Sequence, residues 1–415
     1  MLVAAIAILV ALTIANFILT KRVLHPSVVY SATWLIQTIG LISFRDRFTS
    51  PSEEVFLMVV LGAISFSVGS HISSINILGS GNLIKRREVR RSPALFAIAA
   101  LVVAVCLYGQ YDIFSKLLTD DSFSNTLVYA RTLMSIDNDD IYGFYKYGSP
   151  IAIGMLIALQ LLIVRGESSI LYKAFAAFFF AAALCMAVMS TGRGPIAHVF
   201  LLVGLIYILC GEQERVGRRV GGIVAALSVL VFGIFWVMGQ AMGKVEVEAV
   251  SALSSLVDYL FSSIPALSVY VSSNPIEVVG GDWGNNTFRF VYAVAATAGM
   301  ADKPPSLVQE FMPVPHLTNL YTVYLPYVKD FGWAGVVVIP LALGAAYGRL
   351  FSWSTEIAKD ELAYYFLAIS YLPLLQSVFQ ETYFSLMSSW IQFFLIGFVV
   401  TKVSRSNDMA SSYAR

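Results

Sequence analysis

The chain has 415 residues, of which 58% are hydrophobic and 13% are charged. Soluble domains carry about 25% charged residues, because a surface that faces water needs them. The composition therefore excludes large soluble domains, disordered tails and nucleic-acid binding, and it predicts a polytopic membrane protein. The net charge of +1 comes from 27 basic and 26 acidic residues.

About 11 segments are apolar and long enough to cross a bilayer, which takes about 20 residues of helix. They are residues 1–20, 27–43, 54–72, 93–110, 147–164, 172–190, 195–210, 220–243, 331–350, 361–379 and 385–401. The first has no basic residue ahead of it and no cleavage site, so we expect a retained span rather than a signal peptide. Cys106, Cys185 and Cys210 lie inside apolar runs and are expected to be core residues.

The basic residues of the loops predict the orientation of the spans. The loop 73–92 carries five of them, so we place it in the cytoplasm: Lys85, Arg86, Arg87, Arg90 and Arg91. Alternation then puts the N-terminus outside and the C-terminus in the cytoplasm. With this orientation 17 of the 27 basic residues are cytoplasmic and 18 of the 26 acidic residues are outside. The small net charge thus conceals a positive inner side and a negative outer side.

We therefore predict an all-α integral membrane protein with one polytopic domain over 1–415 and two long outer loops, 111–146 and 244–330. In the second loop, residues 251–265 place five apolar side chains on one helical face, with Asp258 off that face. These side chains belong to Leu253, Leu256, Val257, Leu260 and Ile264. A helix lying in the membrane interface and a partly inserted structural hairpin explain the pattern equally well. A run of prolines over 304–315 then predicts irregular chain that caps the helical bundle.

Arg193 lies in the outer turn Ser190-Thr191-Gly192-Arg193-Gly194-Pro195 between two predicted spans. The glycines leave the backbone open to a ligand, and Pro195 favours the first turn of a helix, whose free N–H groups attract anions. A planar guanidinium there favours a diphosphate site, because it binds phosphate oxygens in pairs. The alternative is an arginine that anchors the helix at the membrane interface.

Arg289 is the only basic residue between Lys244 and Lys303, and aromatic residues flank it. Its side chain suits a phosphate clamp or stacking on a sugar ring. A structural pairing with Asp282 or Glu277 is an equally good interpretation.

Three residues of the outer side are candidates for acid–base chemistry. His316 lies in a proline-rich and aromatic stretch, where it serves either as a general base or as a hydrogen-bonded structural histidine. Asp330 precedes the ninth predicted span and suits a base or a helix cap. Glu381 lies in a tight outer turn that is expected to face the same cavity.

Asn319, Tyr321 and Tyr324 are candidates for sugar binding. The two tyrosines are three residues apart, so on a helix they would share a face and offer an aromatic platform. Tyrosine is also common at any membrane interface, which is the competing interpretation.

The sequence contains no HExxH motif, no cluster of His and Cys, and no glycine-rich nucleotide loop. We therefore expect chemistry that uses no metal, cofactor or ATP.

Three groups of residues resemble the bacterial oligosaccharide repeat-unit polymerases, the Wzy-type O-antigen polymerases. The first is His25-Pro26-Ser27-Val28-Val29-Tyr30 with Trp34, and the second is the turn Ser190-Thr191-Gly192-Arg193-Gly194, which is also similar to a motif of O-antigen ligases. The third comprises Thr318-Asn319-Leu320-Tyr321-Thr322, Asp330-Phe331-Gly332-Trp333-Ala334-Gly335 and Gly344-Ala345-Ala346-Tyr347-Gly348. The three groups occur in the same order and on the same side of the membrane as in the family, and the likeness covers most of the chain.

The resemblance implies a GT-C-like helical bundle in the bacterial inner membrane, with a glycosyltransferase site on its periplasmic side. Donor and acceptor would be oligosaccharides linked to undecaprenyl diphosphate, and a chain-length regulator and a flippase are possible partners. Arg193, and less strongly Arg289, would bind the diphosphate. The base would be His316, Asp330, Glu310 or Glu381. The His-Asn/Ser pair of the ligases is not matched, because Leu317 follows His316.

Two other functions remain open. An O-antigen ligase would transfer the glycan to lipid A–core. A flippase or another transporter would need charged groups along a path through the spans, and almost none occur there.

Overall fold

The structure is a computed structural model that describes residues 2–75, 93–116, 142–164, 169–190, 193–210, 252–274, 283–306, 308–354 and 361–402, with isolated positions at 222, 226, 229, 233 and 276. The regular secondary structure in these parts of the chain is helical apart from one short antiparallel hairpin. In chain order the elements are α1 (Leu2–Thr20), α2 (Pro26–Ser43), α3 (Glu53–Ile75), α4 (Pro93–Lys116), α5 (Gly148–Val164), α6 (Ile170–Met189), α7 (Arg193–Cys210), α8 (Ala252–Phe261), α9 (Ser263–Ser273), α10 (Arg289–Thr297), β1 (Met312–Pro313), β2 (Leu317–Thr318), α11 (Tyr324–Ser352), α12 (Glu361–Gln376) and α13 (Met387–Lys402).

Each predicted span other than 220–243 coincides with one of these helices, and most of 220–243 lies outside the described residues. Among the described residues, six segments are long and apolar enough to cross a membrane: Leu2–Thr20, Glu53–Ser74, Pro93–Lys116, Gly143–Val164, Ile170–Met189 and Tyr324–Ser352. Within α7 and α13 lie two shorter apolar segments. The chain is therefore a multi-pass membrane protein, as predicted. The count of about 11 spans and their orientation stay predictions, and most of the loop 111–146 is outside the described residues.

The chain divides into two compact units. The first comprises Met1–Leu83, Leu253–Ala363 and Ser370–Ser388, and the second comprises Ile84–Ala252, Tyr364–Ile369 and Ser389–Arg415. Except for Arg193, every predicted site residue belongs to the first unit. The single domain over 1–415 stays a prediction.

Three glycines let the backbones of α3 and α11 touch inside the first unit. A Cβ atom on Gly344 would lie 2.0 Å from the carbonyl oxygen of Phe66, and one on Gly348 would lie 2.1 Å from that of Ser70. On the opposite helix, a Cβ atom on Gly69 would lie 2.0 Å from the carbonyl oxygen of Leu341. Small residues at helix contacts are the usual device in membranes, where packing and not the hydrophobic effect brings helices together.

An aromatic cluster around this contact packs the early motif against α3 and α11. The ring of Trp34 on α2 stacks on that of Tyr324 on α11, with centroids 5.0 Å apart. The hydroxyls of Tyr30 and Tyr324 are 3.2 Å apart, and Tyr30 also stacks on Phe66 of α3 at 4.1 Å. The early motif therefore packs in the core against the start of α11, where it shapes the fold.

His25 begins the early motif and sets the start of α2. Its Nδ1 accepts a hydrogen bond from the N–H of Ser27 at 3.4 Å, and Pro26 occupies the first helical position, where its missing N–H costs nothing. The His25 ring stacks on that of His71 at 5.6 Å, and His71 Nε2 lies 2.8 Å from Asn16 Oδ1. The motif thus anchors α2 to α1 and α3.

The predicted helix over 251–265 is two helices, because the helix is interrupted at Ser262 between α8 and α9. Asp258, which lies off the apolar face of this segment, is nevertheless buried, because it pairs with Arg47 of the short turn after α2. Ile264 and Leu267 of α9 also belong to the hydrophobic core of the first unit. Both helices are therefore packed structural elements.

The ninth predicted span begins earlier than expected. Its helix, α11, starts at Tyr324 and not at 331, and it contains a kink at Gly332, whose φ of 57° and ψ of −143° are non-helical. Glycine reaches positive φ without the steric cost that a side chain would add. The turns ahead of Gly332 therefore form a separate short helix that reaches into the predicted loop 244–330.

The second unit contains the predicted core cysteines. Cys106 is buried beside Gly148, where a Cβ atom would lie 2.4 Å from the cysteine Cβ. Cys185 is exposed, so the expectation of burial is wrong for this residue: an apolar span tolerates such a thiol because its outward face meets lipid and not water. The side chain of Cys210 lies outside the described residues.

We predict that Gly344→Val destabilises the protein by about 1–3 kcal/mol or more, because the added atoms would force α3 and α11 apart. Gly222→Val is the matched control, since a Cβ atom there has open space around it and the change in helix propensity is the same. Equal unfolding midpoints for the two variants, measured in detergent, would contradict the proposed contact.

Candidate functional site

His316 lies at the turn of the β1–β2 hairpin. The hairpin pairs Met312 with Thr318, and the N–H of Val314 donates to the carbonyl oxygen of His316 at 2.9 Å. The hydroxyl of Ser262 donates to Thr318 Oγ1 at 3.2 Å and holds the hairpin against the junction of α8 and α9. The His316 side chain is 55% exposed, so a ligand can reach its ring.

A chain of charged groups runs behind His316. Its Nε2 lies 3.5 Å from Oδ2 of Asp258, whose side chain is only 10% exposed. Arg47 donates to both carboxylate oxygens, from Nε to Oδ1 at 3.2 Å and from Nη2 to Oδ2 at 3.1 Å. A two-pronged pairing of this kind compensates the cost of burying a carboxylate and fixes its orientation.

Backbone hydrogen bonds tie the segment after the hairpin to the turn after α12. The N–H groups of Tyr321 and Thr322 donate to the carbonyl oxygen of Phe379 at 3.1 and 3.0 Å. Thr322 has a positive φ of 63°, and its backbone pairs with Gln380 in an isolated bridge. This pairing brings the start of α11 close to the turn that carries Glu381.

Asp330 is fully buried and clamps another segment of the predicted loop 244–330. Its Oδ1 accepts from the backbone N–H of Asn286 at 3.1 Å and from the side-chain amide at 2.7 Å, and its Oδ2 accepts from the N–H of Thr287. The expected helix cap is therefore wrong, because these bonds leave its own helix. Full burial and three donated N–H groups keep the carboxylate away from a substrate proton, so the geometry favours a structural role.

Arg289 follows this clamped turn and begins α10. Its Nη1 is buried and has no hydrogen-bond partner among the described residues, and burial lowers the pKa of the guanidinium. The adjacent Phe288 ring lies against Phe331 at 6.0 Å and Phe384 at 5.0 Å. The expected partners of Arg289, Asp282 and Glu277, lie outside the described residues.

Glu381 forms the tight turn ahead of α13. Its two carboxylate oxygens accept from the N–H groups of Phe384 and Ser385 at 2.8 and 2.9 Å. Burial raises the pKa of this carboxyl, and the backbone N–H groups oppose the rise. Since both oxygens already serve the turn, a free base at Glu381 is disfavoured on geometry.

The predicted aromatic platform is not a helical face, because α11 begins at Tyr324 and leaves Tyr321 outside it. Tyr324 is fully buried in the aromatic cluster. The hydroxyl of Tyr321 donates to the carbonyl oxygen of Glu310 at 2.8 Å, and the residue is 3% exposed. Neither ring is open to a sugar in this structure. Asn319 is half-buried between β2 and α11, and sugar binding by the three residues stays a prediction.

Arg193 belongs to the second unit and is the first residue of α7. The expectation that a helix starts at this turn is confirmed, with Pro195 in its first turn. The Arg193 side chain lies outside the described residues.

A comparison of the sequence with curated proteins finds an O-antigen polymerase of Shigella dysenteriae, 27% identical over 215 residues, which are 51% of this chain and 51% of that protein. This chain is a distant relative of an O-antigen polymerase. The similarity supports the resemblance predicted from the motifs. The chain spans about half the length of the curated relative that it matches. No family model matches, and no solved structure matches.

The sequence alone did not predict that Arg47 pairs with Asp258. Their separation of 211 residues hides the pairing, and nothing in either local pattern identifies the partner. The signal that was present is a lone acid in an otherwise apolar helical segment, since such a group needs a partner when it is buried.

We predict that Asp330→Ala loosens the turn at 283–288, because a hydrogen bond to a charged group contributes about 1.5–3 kcal/mol. Amide exchange at Asn286 and Thr287 should accelerate about tenfold or more, measured by hydrogen–deuterium exchange with mass spectrometry. Asp302→Ala is the control, since Asp302 is an exposed acid of the same loop. Unchanged exchange in the Asp330 variant would rule out the clamp.

Proposed function

We propose that this chain polymerises lipid-linked oligosaccharide repeat units, as a metal-independent glycosyltransferase of surface-polysaccharide synthesis. The observation that carries the proposal is the similarity to an O-antigen polymerase. The multi-pass helical architecture supports it, because a substrate with a polyprenyl tail lies in the membrane. Under this proposal the protein resides in the bacterial inner membrane, and its site faces the periplasm.

The proposed reaction transfers a growing glycan from undecaprenyl diphosphate to a hydroxyl of the next lipid-linked unit. The bond from the hydroxyl oxygen to the anomeric carbon forms while the bond from that carbon to the diphosphate breaks. The hydroxyl proton passes to a base, and undecaprenyl diphosphate leaves with the electron pair. The donor bond is already activated, so ATP is not needed.

Arg289 is the proposed diphosphate ligand of the first unit. The guanidinium of Arg289 is half-buried, and its Nη1 has no hydrogen-bond partner among the described residues. A preorganised cation in a site poor in water stabilises the negative charge that grows on the leaving group. The clamp by Asp330 on the preceding turn supplies that preorganisation. Arg193 stays a predicted diphosphate ligand on its sequence motif alone.

His316 is the proposed base. Its ring is exposed, whereas the carboxylates of Asp330 and Glu381 are occupied by N–H groups of the chain itself. A neutral imidazole nitrogen is a suitable acceptor for the proton of a sugar hydroxyl.

A ligase and a flippase are the alternatives, and gene deletion together with reconstitution distinguishes them. A polymerase mutant should retain single capped repeats, whereas a ligase mutant should accumulate lipid-linked polymer. With purified lipid-linked units on one side of a bilayer, elongation without translocation supports the polymerase, and translocation without elongation supports the flippase. A chain-length regulator and a flippase as binding partners stay predictions.

We predict that Arg289→Ala reduces polymer to single repeats, since loss of one transition-state donor costs about 10²- to 10³-fold in kcat. The length of the glycan ladder on a gel measures this. Arg289→Lys should keep part of the activity, because the charge remains and the planar fork is lost. Lys303→Ala, at an exposed basic residue of the same loop, is the control. A normal ladder from Arg289→Ala would remove the residue from the site.

A further inference from the structure

We infer that Asp258, held by Arg47, is a positioning residue that orients the His316 ring for proton transfer. The inference rests on the proposed function, in which His316 takes the proton of the acceptor hydroxyl. The three residues come from three separate elements: the short turn Arg45–Arg47 after α2, the helix α8 and the β1–β2 hairpin.

The burial of the three side chains forms a gradient that suits this role. The side chain of His316 is 55% exposed, that of Arg47 is 35% exposed and that of Asp258 is 10% exposed. The carboxylate is thus shielded, while the ring that faces it reaches the surface. A positioned base needs a ring that a buried group holds on one side and that a substrate can reach on the other.

Arg47 makes the carboxylate a rigid acceptor. Its Nε and Nη2 reach the two different oxygens of Asp258 at 3.2 and 3.1 Å, and Nη2 also donates to the hydroxyl of Ser254 on α8. This fork fixes the plane of the carboxylate. Oδ2 therefore points at a defined place, 3.5 Å from His316 Nε2, and contacts of this kind shorten when substrate binds.

The contact also assigns the nitrogens of the ring. With Nε2–H directed at Asp258, the lone pair is on Nδ1, and Nδ1 accepts the proton of the hydroxyl as the glycosidic bond forms. The imidazolium that results then faces a carboxylate that keeps its own charge. Orientation and stabilisation of a histidine by a buried carboxylate is an established principle of hydrolase triads, and here it is applied to glycosyl transfer.

Three variants in purified full-length protein test the inference. His316→Ala should lower kcat by about 10²- to 10⁴-fold, which is the range of general-base catalysis. Asp258→Asn should lower kcat by at least about tenfold with little change in KM, because the ring loses its orientation and substrate binding does not depend on it. Asp258→Glu should recover part of the loss, since a carboxylate can still reach the ring. A Glu variant no better than the Asn variant would count against positioning.

The double variant Arg47→Asp with Asp258→Arg separates positioning from stability. It keeps the buried ion pair but turns a guanidinium towards His316. If Asp258 only stabilises the fold, the double variant should regain wild-type kcat, and that result would overturn the inference. If Asp258 positions the ring, kcat should stay at the level of Asp258→Asn although the unfolding midpoint recovers.

A readout without turnover keeps this inference distinguishable from the proposed function. Protein labelled with ¹⁵N-histidine and ¹³C-aspartate, in bilayers, should show dipolar dephasing between the His316 ring and the Asp258 carboxyl that Asp258→Asn abolishes. Absence of dephasing in the wild type overturns the positioning contact. Dephasing in a protein that elongates no lipid-linked unit would instead overturn the proposed function.

Discussion

The backbones of α3 and α11 touch at Gly69, Gly344 and Gly348, and the first unit depends on that contact. In a membrane the lipid is as apolar as the side chains, so helices associate through close packing. Any side chain at these positions would meet a backbone carbonyl. Because α11 carries Tyr324 and Asp330 near its start, the crossing also sets where the outer loop is anchored. The α3–α11 contact therefore also fixes the position of the loop that leads into α11.

Above this contact, buried carboxylates hold the outer segments in place. Asp258 binds Arg47, Asp330 binds the turn ahead of Arg289, and Glu381 closes the turn ahead of α13. The negative charge of these acids is directed at N–H groups of the chain itself. That arrangement makes an acidic outer loop compatible with the anionic substrate of the proposed function. Among the described residues, Nη1 of Arg289 is left without a hydrogen-bond partner, and the His316 ring stays exposed.

Much of the fold was predictable because an apolar run of about 20 residues in lipid has few alternatives to a helix. The span before Arg193 and the helix after it followed from composition and from Pro195. The kink at Gly332 and the break at Ser262 were not predicted, since local composition on both sides favours continued helix. The burial of Asp258 was not predicted, because a helical pattern shows which face is apolar and not whether a distant arginine will meet the acid. The prediction that Tyr321 and Tyr324 share a helical face was wrong for a similar reason. The backbone of Tyr321 pairs with Phe379, which keeps Tyr321 out of the helix.

The sequence by itself determined that the chain spans a membrane many times, where most helices lie, and which family it resembles. These properties depend on composition and short-range spacing, which are read along the chain. Only the tertiary structure decided that Trp34 of the early motif packs on Tyr324 of α11, that Asp330 is a clamp, and that Arg47 holds Asp258 beside His316. Those properties depend on contacts between residues as much as 294 positions apart, and such contacts form only after packing has brought the helices together.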